Sequence, residues 1–392
     1  MSEREYEVVL FGATGFTGAL TARYLAEGAA ADTRWALAGR NRAKLEALRG
    51  ELAAIDPRLA ELPLLHADAG DPESLQAVAA ATKVIATTVG PYITYGEPLV
   101  AACAAAGTGY LDLTGEPEFV DKMWLGYHEQ AERTGARLIH SCGFDSIPYD
   151  LGVLYTVGQL PEGVPLAVKG FFRASATFSG GTYHSAITIM GRLRQGAAVA
   201  RQRKRLEARP TDRRVRGVLT PPYREPLVDG WVAPVPTIDP QHVLRSARAL
   251  PRYGPDFSYS HYVVLGKLPV LAGAAVGAGT LVAAAQLPPT RALLLKLRDP
   301  GDGPSAEQRA KAWFRVTMEG TAGTGGRVVT EVFGGDPGYG ETAKMLGEAA
   351  LCLAKDELPD VAGQTTPAVA MGQALIDRLI AAGIGFRVIE RT

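Results

Sequence analysis

The chain of 392 residues is long enough for two domains and a sizeable buried core. Its 41 Lys+Arg balance 41 Asp+Glu, so no global field recruits nucleic acid, and 47% hydrophobic with 21% charged residues is ordinary for a soluble globular protein. Cys103, Cys142 and Cys352 lie far apart without CxxC or Cys/His spacing, which argues against a disulfide framework or a metal site and fits a reducing, cytoplasmic setting.

The N-terminus enters an apolar strand at Tyr6–Phe11 and lacks the long apolar core of a signal peptide. A helix is predicted over Thr17–Ala31, a strand over Trp35–Ala38, and a helix over Asn41–Ala54. Leu62–His66 reads as a strand, and Asp71-Pro72 opens a helix with Asp71 as cap and Pro72 in its first position. Strands at Val84–Val89, Tyr110–Leu113 and Arg137–Ser141 alternate with helices at Glu97–Ala106 and Glu116–Thr134. That alternation implies parallel pairing: an α/β fold with a doubly wound sheet. Near Gly143 it stops. Strand-like stretches at Val168–Ala174 and Val328–Phe333 then surround a basic helix and a Pro-rich section from Pro210 to Pro255, which predicts an α+β second domain with large loops. Helical patterns return at Tyr339–Ala354 and Pro367–Ala382.

The strongest local signal is Gly12-Ala13-Thr14-Gly15-Phe16-Thr17-Gly18, between a strand and a helix. Gly12 permits the turn off the strand, Gly15 lets backbone approach a pyrophosphate, and Gly18 permits close helix–sheet packing. The helix end then offers free N–H groups and a positive dipole to phosphates. An NAD site places an acid at the end of the second strand; here the sequence runs Ala38-Gly39-Arg40-Asn41. Arg40, with Asn41 beside it and Lys44 one helical turn on, suits a 2′-phosphate, so NADPH is the expected cofactor. Asp68, after the third strand, is placed either to contact adenine or to fix a turn. Val89, Gly90 and Pro91 follow the fourth strand, beside the crevice where nicotinamide rests; an ordinary strand-to-helix turn reads the same way.

These motifs identify a resemblance covering nearly the whole chain. GATGFTG (Gly12–Gly18), AGRN (Ala38–Asn41), VGPY (Val89–Tyr92), YLDLTGE (Tyr110–Glu116), CGFDSIPYDLG (Cys142–Gly152), SGGT (Ser179–Thr182) and GGDPGYGETAKML (Gly334–Leu346) resemble the saccharopine dehydrogenase-like oxidoreductases, closely their actinobacterial branch of trans-acting enoyl reductases. The resemblance implies an NADP-binding Rossmann domain over residues 1–142, a capping substrate domain over 143–335, and C-terminal helices over 336–392 that pack back on the first domain. It also implies reduction of a C=C bond in a polyketide- or lipid-derived acyl chain presented by a separate synthase or carrier protein. Rival expectations are an imine or ketone reductase, and a nucleotide-binding lipid-surface protein without turnover.

Reduction of an enoyl thioester needs a hydrogen-bond donor for the developing enolate and a proton for the α-carbon. Candidates are Tyr92 on the fourth-strand loop, Asp145, Ser146 and Tyr149 past the sixth strand, and Thr182, Tyr183 and His184 after the Ser-Gly-Gly turn. Each has a structural alternative: a capped turn at Asp145–Pro148, core positions for Tyr183 and His184, and, for Asp112 and Glu116, a helix cap rather than a pocket wall. Two further segments bear on partners. Arginines crowd residues 192–216, opposed only by Glu207 and Asp212, as a solvated face or a contact for an acidic acyl-carrier protein or an anionic membrane. Leu268–Leu287 is uncharged, and reads as a buried or interdomain helix, a peripheral membrane contact, or a span.

Overall fold

A computed structural model of the chain describes residues 4–175, 180–235, 237–297 and 303–392. It divides into two compact units.

The first unit comprises residues 1–144 and 339–382. Its strands are β1 (Tyr6–Phe11), β2 (Trp35–Gly39), β3 (Leu64–His66), β4 (Thr82–Thr87), β5 (Gly109–Leu111) and β6 (Arg137–Ile139), with a last one from the C-terminal region. The second unit supplies β7 (Leu166–Ser175), β8 (Arg214–Gly217), β9 (Tyr223–Glu225), β10 (Gly230–Pro234), β11 (Asp256–Gly266), β12 (Trp313–Ala322) and β13 (Arg327–Gly334). The chain then returns to the first unit for β14 (Gly363–Thr365) and ends in the second with β15 (Gly385–Arg391).

In the first unit every strand pair is parallel, in the order β14-β6-β5-β4-β1-β2-β3. Strands this apolar (β1 and β2 are almost wholly buried) need helices on both faces, and the alternating sequence supplies them. Strand order reverses between β1 and β4, so the carboxyl ends of these two strands border the crevice in which ligands of such sheets lie. The helix Gly340–Lys355 packs against the helix Phe16–Gly28 and against β1 and β4. Gly347 lets it come close, since a Cβ there would sit 2.7 Å from the Tyr24 ring, and Glu348 accepts a 2.5 Å hydrogen bond from the Tyr24 hydroxyl.

The second unit is a mixed sheet in the order β15-β13-β12-β7-β11-β10-β9, with β8 paired to β11. The helix Ile147–Val157 packs on β12 and β13, where Gly152 would place a Cβ 2.5 Å from Met318 Cε. Three features differ from the sequence expectation. The stretch from Pro210 to Pro255 is not mainly loop: it holds β8, β9, β10 and the helix Asp239–Ala249, strands too short to show a period. Residues 385–391, expected within a helical tail, pair antiparallel with β13, where Glu331 receives Arg387 at 2.5 Å. The helix Leu268–Gln286 is not core: Val270 is 53% and Val276 72% exposed, and Leu271 and Ala285 are among its few buried positions. It packs on the helices Gly180–Gly191 and Pro288–Leu295.

Candidate cofactor and proton-donor sites

The glycine loop lies at the carboxyl end of β1. Gly12 has φ +84°, a left-handed conformation, and a Cβ there would meet Val89 Cγ2 at 2.6 Å. Gly18 permits the closest approach, since its Cβ would fall 2.2 Å from the Gly12 carbonyl oxygen. The loop is stitched to its neighbours: Gly12 N–H donates to the Ala38 carbonyl (3.0 Å), Thr88 N–H to the Phe11 carbonyl (3.0 Å), and Thr88 Oγ1 to the Gly12 carbonyl (3.1 Å). The helix Phe16–Gly28 starts from Gly15 with no side-chain cap and no acid in its first turn. Thr14, Gly15 and Phe16 are exposed, Thr17 half-buried. The helix end therefore presents backbone N–H groups and a positive dipole at an accessible loop, with the Phe16 ring set edge-on to Tyr339 at 4.7 Å, which fits a pyrophosphate.

At the end of β2, Arg40 and Lys44 are exposed, and neither side chain has a hydrogen-bond or ion-pair partner among the described residues. Asn41 has a structural duty instead: its Oδ1 accepts from the Lys44 N–H at 3.0 Å and caps the helix Arg42–Ile55. Asp68 fixes a turn with one oxygen, accepting from the Gly70 N–H at 2.9 Å, and is half-buried. Val89 and Pro91 are half-buried and Gly90 exposed, on a loop tied to β4 by the Val89 N–H on Thr87 Oγ1 (3.2 Å).

Behind that loop lies a buried polar network. Asp112 accepts from the Tyr110 hydroxyl (2.9 Å), the Thr114 N–H (3.0 Å) and the Ser141 N–H (2.8 Å), and pairs with His140 Nδ1 (2.6 Å). Glu116 accepts from the backbone N–H groups of Tyr92 (3.1 Å) and Ile93 (2.8 Å). It makes no side-chain cap to the helix Pro117–Thr134. Both acids thus hold loop geometry at the carboxyl edge of the sheet, rather than capping the helix that follows them.

The four candidate proton donors separate clearly. Tyr92 is 7% exposed; its hydroxyl donates to the Thr87 carbonyl and accepts from the Leu113 N–H, both at 3.2 Å. The Tyr183 hydroxyl donates to the Leu294 carbonyl at 3.0 Å, tying two helices of the second unit. Both hydroxyls are committed to structure. Thr182 has no described side chain, and Ser179 lies outside the described residues. Asp145 is an exposed residue, yet enough protein crowds its carboxyl that desolvation pushes it up to about 6. Tyr149 is buried, with its ring 4.9 Å from that of His261.

Sequence reasoning missed what surrounds Tyr149. His261 on β11 faces the Tyr259 hydroxyl through Nδ1 (3.0 Å) and Asp239 Oδ2 through Nε2 (3.9 Å). Burial drives His261 down to about 4, so it is neutral near pH 7, and raises Asp239 well above the carboxylate range, with the charge of Asp145 adding to the effect. Asp145, Tyr149, Asp239, Tyr259 and His261 are spread over more than a hundred residues, and no spacing in the sequence joins them.

A parallel sheet in this strand order, a glycine loop on a helix end at its switch point, and an arginine in place of the ribose-binding acid define an NADP-dependent oxidoreductase of the doubly wound class. Residues 8–139 match the family model of the saccharopine dehydrogenase NADP-binding domain. Over 98% of its length the chain is 36% identical to a trans-acting enoyl reductase of Mycobacterium bovis and 37% identical to one of Mycobacterium ulcerans, covering 97% of each. It is 40% identical, with the same coverage, to a Mycobacterium tuberculosis protein named as a candidate for that activity. The saccharopine dehydrogenase (L-Glu forming) of Saccharomyces cerevisiae shares the fold, with a TM-score of 0.55 at 11% identity over 98% of this chain and 99% of that one. The chain belongs to the saccharopine dehydrogenase-like oxidoreductases, in the branch of the trans-acting enoyl reductases.

Proposed function

We propose that this protein reduces the C=C bond of an α,β-unsaturated acyl thioester with NADPH, acting in trans on a chain held by a separate synthase or carrier protein. The observation that carries the reading is an anion-receptive helix end beside an exposed Arg40 without a partner among the described residues, in a chain alike over 98% of its length to proteins named for this activity. Gly12, Thr14, Gly15, Phe16, Thr17 and Gly18 would cradle the pyrophosphate, Arg40 and Lys44 the 2′-phosphate, and the Val89-Gly90-Pro91 loop would flank the nicotinamide. Asn41 would contribute through the shape of the turn it caps, and Asp68 through its second carboxylate oxygen.

NADPH supplies the hydride, which adds to the β-carbon. The protein must then place one proton on the α-carbon. Asp145 is the donor that best fits: it is exposed, and its raised carboxyl holds a proton closer to neutrality than a free aspartate does. After donation the carboxylate reprotonates from solvent. Tyr149, Asp239 and His261 are buried, and the raised Asp239 and Asp145 carboxyls each disfavour the other's charge, which supports keeping a proton on the pair. The exposed apolar helix Leu268–Gln286 supports an acyl or lipid-like substrate, and a peripheral contact with a membrane, since water-exposed apolar surface of this extent marks an interaction site.

The test is single-turnover reduction of a synthetic 2-enoyl thioester with NADPH deuterated at C4, with the product analysed by mass spectrometry. Deuterium at the β-carbon of a saturated thioester supports the reading. Formation of a C–N or C–OH bond with imine or ketone substrates alone would replace it with the rival reductase, and cofactor binding without any turnover would leave only a nucleotide-binding role.

A further inference from the structure

The arginine run read from the sequence as one basic helix splits in the fold. Its first half lies on the helix Leu193–Leu206. The second half leaves the helix and turns into a cavity of about 470 Å³ lined by Arg209, Arg213, Arg214 and Arg248, with Asp212 as the one acid among the described lining residues. Four arginines against one aspartate give the lining a surplus of positive charge.

The pairing within the recess does not discharge that surplus. Asp212 sits at the rim, 68% exposed, and its side chain pairs with Arg213 Nη2 at 3.3 Å. Arg213 is 12% exposed, and its Nη1 is buried with no hydrogen-bond partner among the described residues. Behind the wall Glu207 is shared three ways, with Arg203 at 2.7 Å and with Arg245 and Arg248 each at 4.0 Å. Arg248 is held below the usual guanidinium range by burial first and then by repulsion from Arg245 and Arg209, against the pull of Glu207. The backbone fixes this crowding: the Arg214 N–H donates to the Pro255 carbonyl at 2.8 Å, closing the loop onto the start of β11. Like charges brought together at this cost, with a donor left unsatisfied, describe a site whose counter-ion comes from outside the chain.

We propose that this recess binds a phosphate ester carrying at least two negative charges. The guanidinium fork matches tetrahedral phosphate oxygens, and several arginines lining one recess suit a compact polyanion rather than a single carboxylate or an extended strand. The site is separate from the glycine loop, and does not depend on the reaction proposed above. The phosphate could belong to a nucleotide or pantetheine arm bearing an acyl group, or to a lipid headgroup; both present the same chemistry.

The probe is inorganic pyrophosphate, titrated calorimetrically into the full chain already saturated with NADPH so that the glycine loop is filled. One further equivalent should bind, weakening with salt, and the paired substitution Arg209→Gln with Arg214→Gln should lower its affinity about tenfold or more. Both side chains are exposed, so this variant should keep its NADPH affinity and its fold; Arg213→Gln is a second variant at the buried donor. Coenzyme A and phosphatidic acid vesicles then distinguish the sources: arginine-dependent binding of either upholds the site and names its ligand. Absence of pyrophosphate binding to the NADPH-saturated protein, or unchanged affinity in both variants, overturns the proposal.

Discussion

Arg40 owes nothing to the fold around it: it is exposed and makes no contact that its loss would break among the described residues. Arg40→Ala should therefore leave the melting temperature unchanged while raising the NADPH dissociation constant by about five- to 150-fold, the effect of losing a charge-assisted contact worth roughly 1–3 kcal/mol. NADH affinity should hardly move, so titrating both cofactors checks it. Gly18 is the opposite case. A methyl there would overlap the Gly12 carbonyl, so Gly18→Ala should deform the loop and lower both stability and cofactor affinity. Gly15→Val is milder, its Cβ pressing on the Gly12 carbonyl oxygen at 3.3 Å so that the loop must give by a few tenths of an ångström, and it should block the pyrophosphate with a small loss of stability, as fluorescence titration and a melting curve would show. At Asp145 the active form is the acid. The turnover rate should be flat below pH about 6 and fall as pH rises through that value, and Asp145→Asn should abolish this limb and slow the chemical step by about 10²-fold or more. The same raised carboxyl favours the folded state below its ordinary value of 3.8, and that contribution is lost as pH rises through about 6. The turn glycines were legible because one residue type at one strand–helix junction carries the conformation, as the left-handed φ of Gly12 and the close approach at Gly18 show, whereas Asp145 was one candidate among several, with a capped turn as the alternative. Tyr92 and Tyr183 were not legible, because a tyrosine hydroxyl that donates to a carbonyl looks the same in sequence as one that faces a substrate.

Among the elements, the first unit could be read almost strand by strand because its strands and helices alternate with strong periods. The exception there was β14, three residues that follow a helix in the C-terminal region, outside the strand–helix alternation that exposed the equally short β3, β5 and β6. Position within the fold was harder than secondary structure. Leu268–Gln286 is a helix, as composition suggests, but composition does not say which way it faces, and the structure leaves most of it in contact with solvent. Substituting Val270 and Val276 by Glu should consequently leave thermal stability within about 0.5 kcal/mol, as for other exposed sites. If the helix receives lipid-like partners, the same change should abolish co-sedimentation with anionic vesicles and raise KM for long acyl substrates more than for short ones. A large drop in melting temperature would show instead that the helix is an internal packing element.

For the whole molecule, residues distant in sequence complete each sheet. Removing residues 383–392 should destabilise the second unit: β13 loses its antiparallel neighbour, and the buried Glu331 keeps Arg315 at 2.9 Å but loses Arg387. A fall of several degrees in melting temperature is expected, with new protease cleavage in β13 and unchanged NADPH binding by the first unit. The first unit meets the same dependence earlier in the life of the chain. Its β1–β6 segment leaves the ribosome complete, yet the helix that covers β1 and β4, and the strand that flanks β6, lie beyond residue 338. At bacterial elongation rates, residues 145–338 take on the order of 10–40 s to make. Through that interval the nascent cofactor domain shows a bare apolar face and an unpaired edge, so this protein should depend on trigger-factor-like protection during translation far more than its finished, charge-balanced surface suggests.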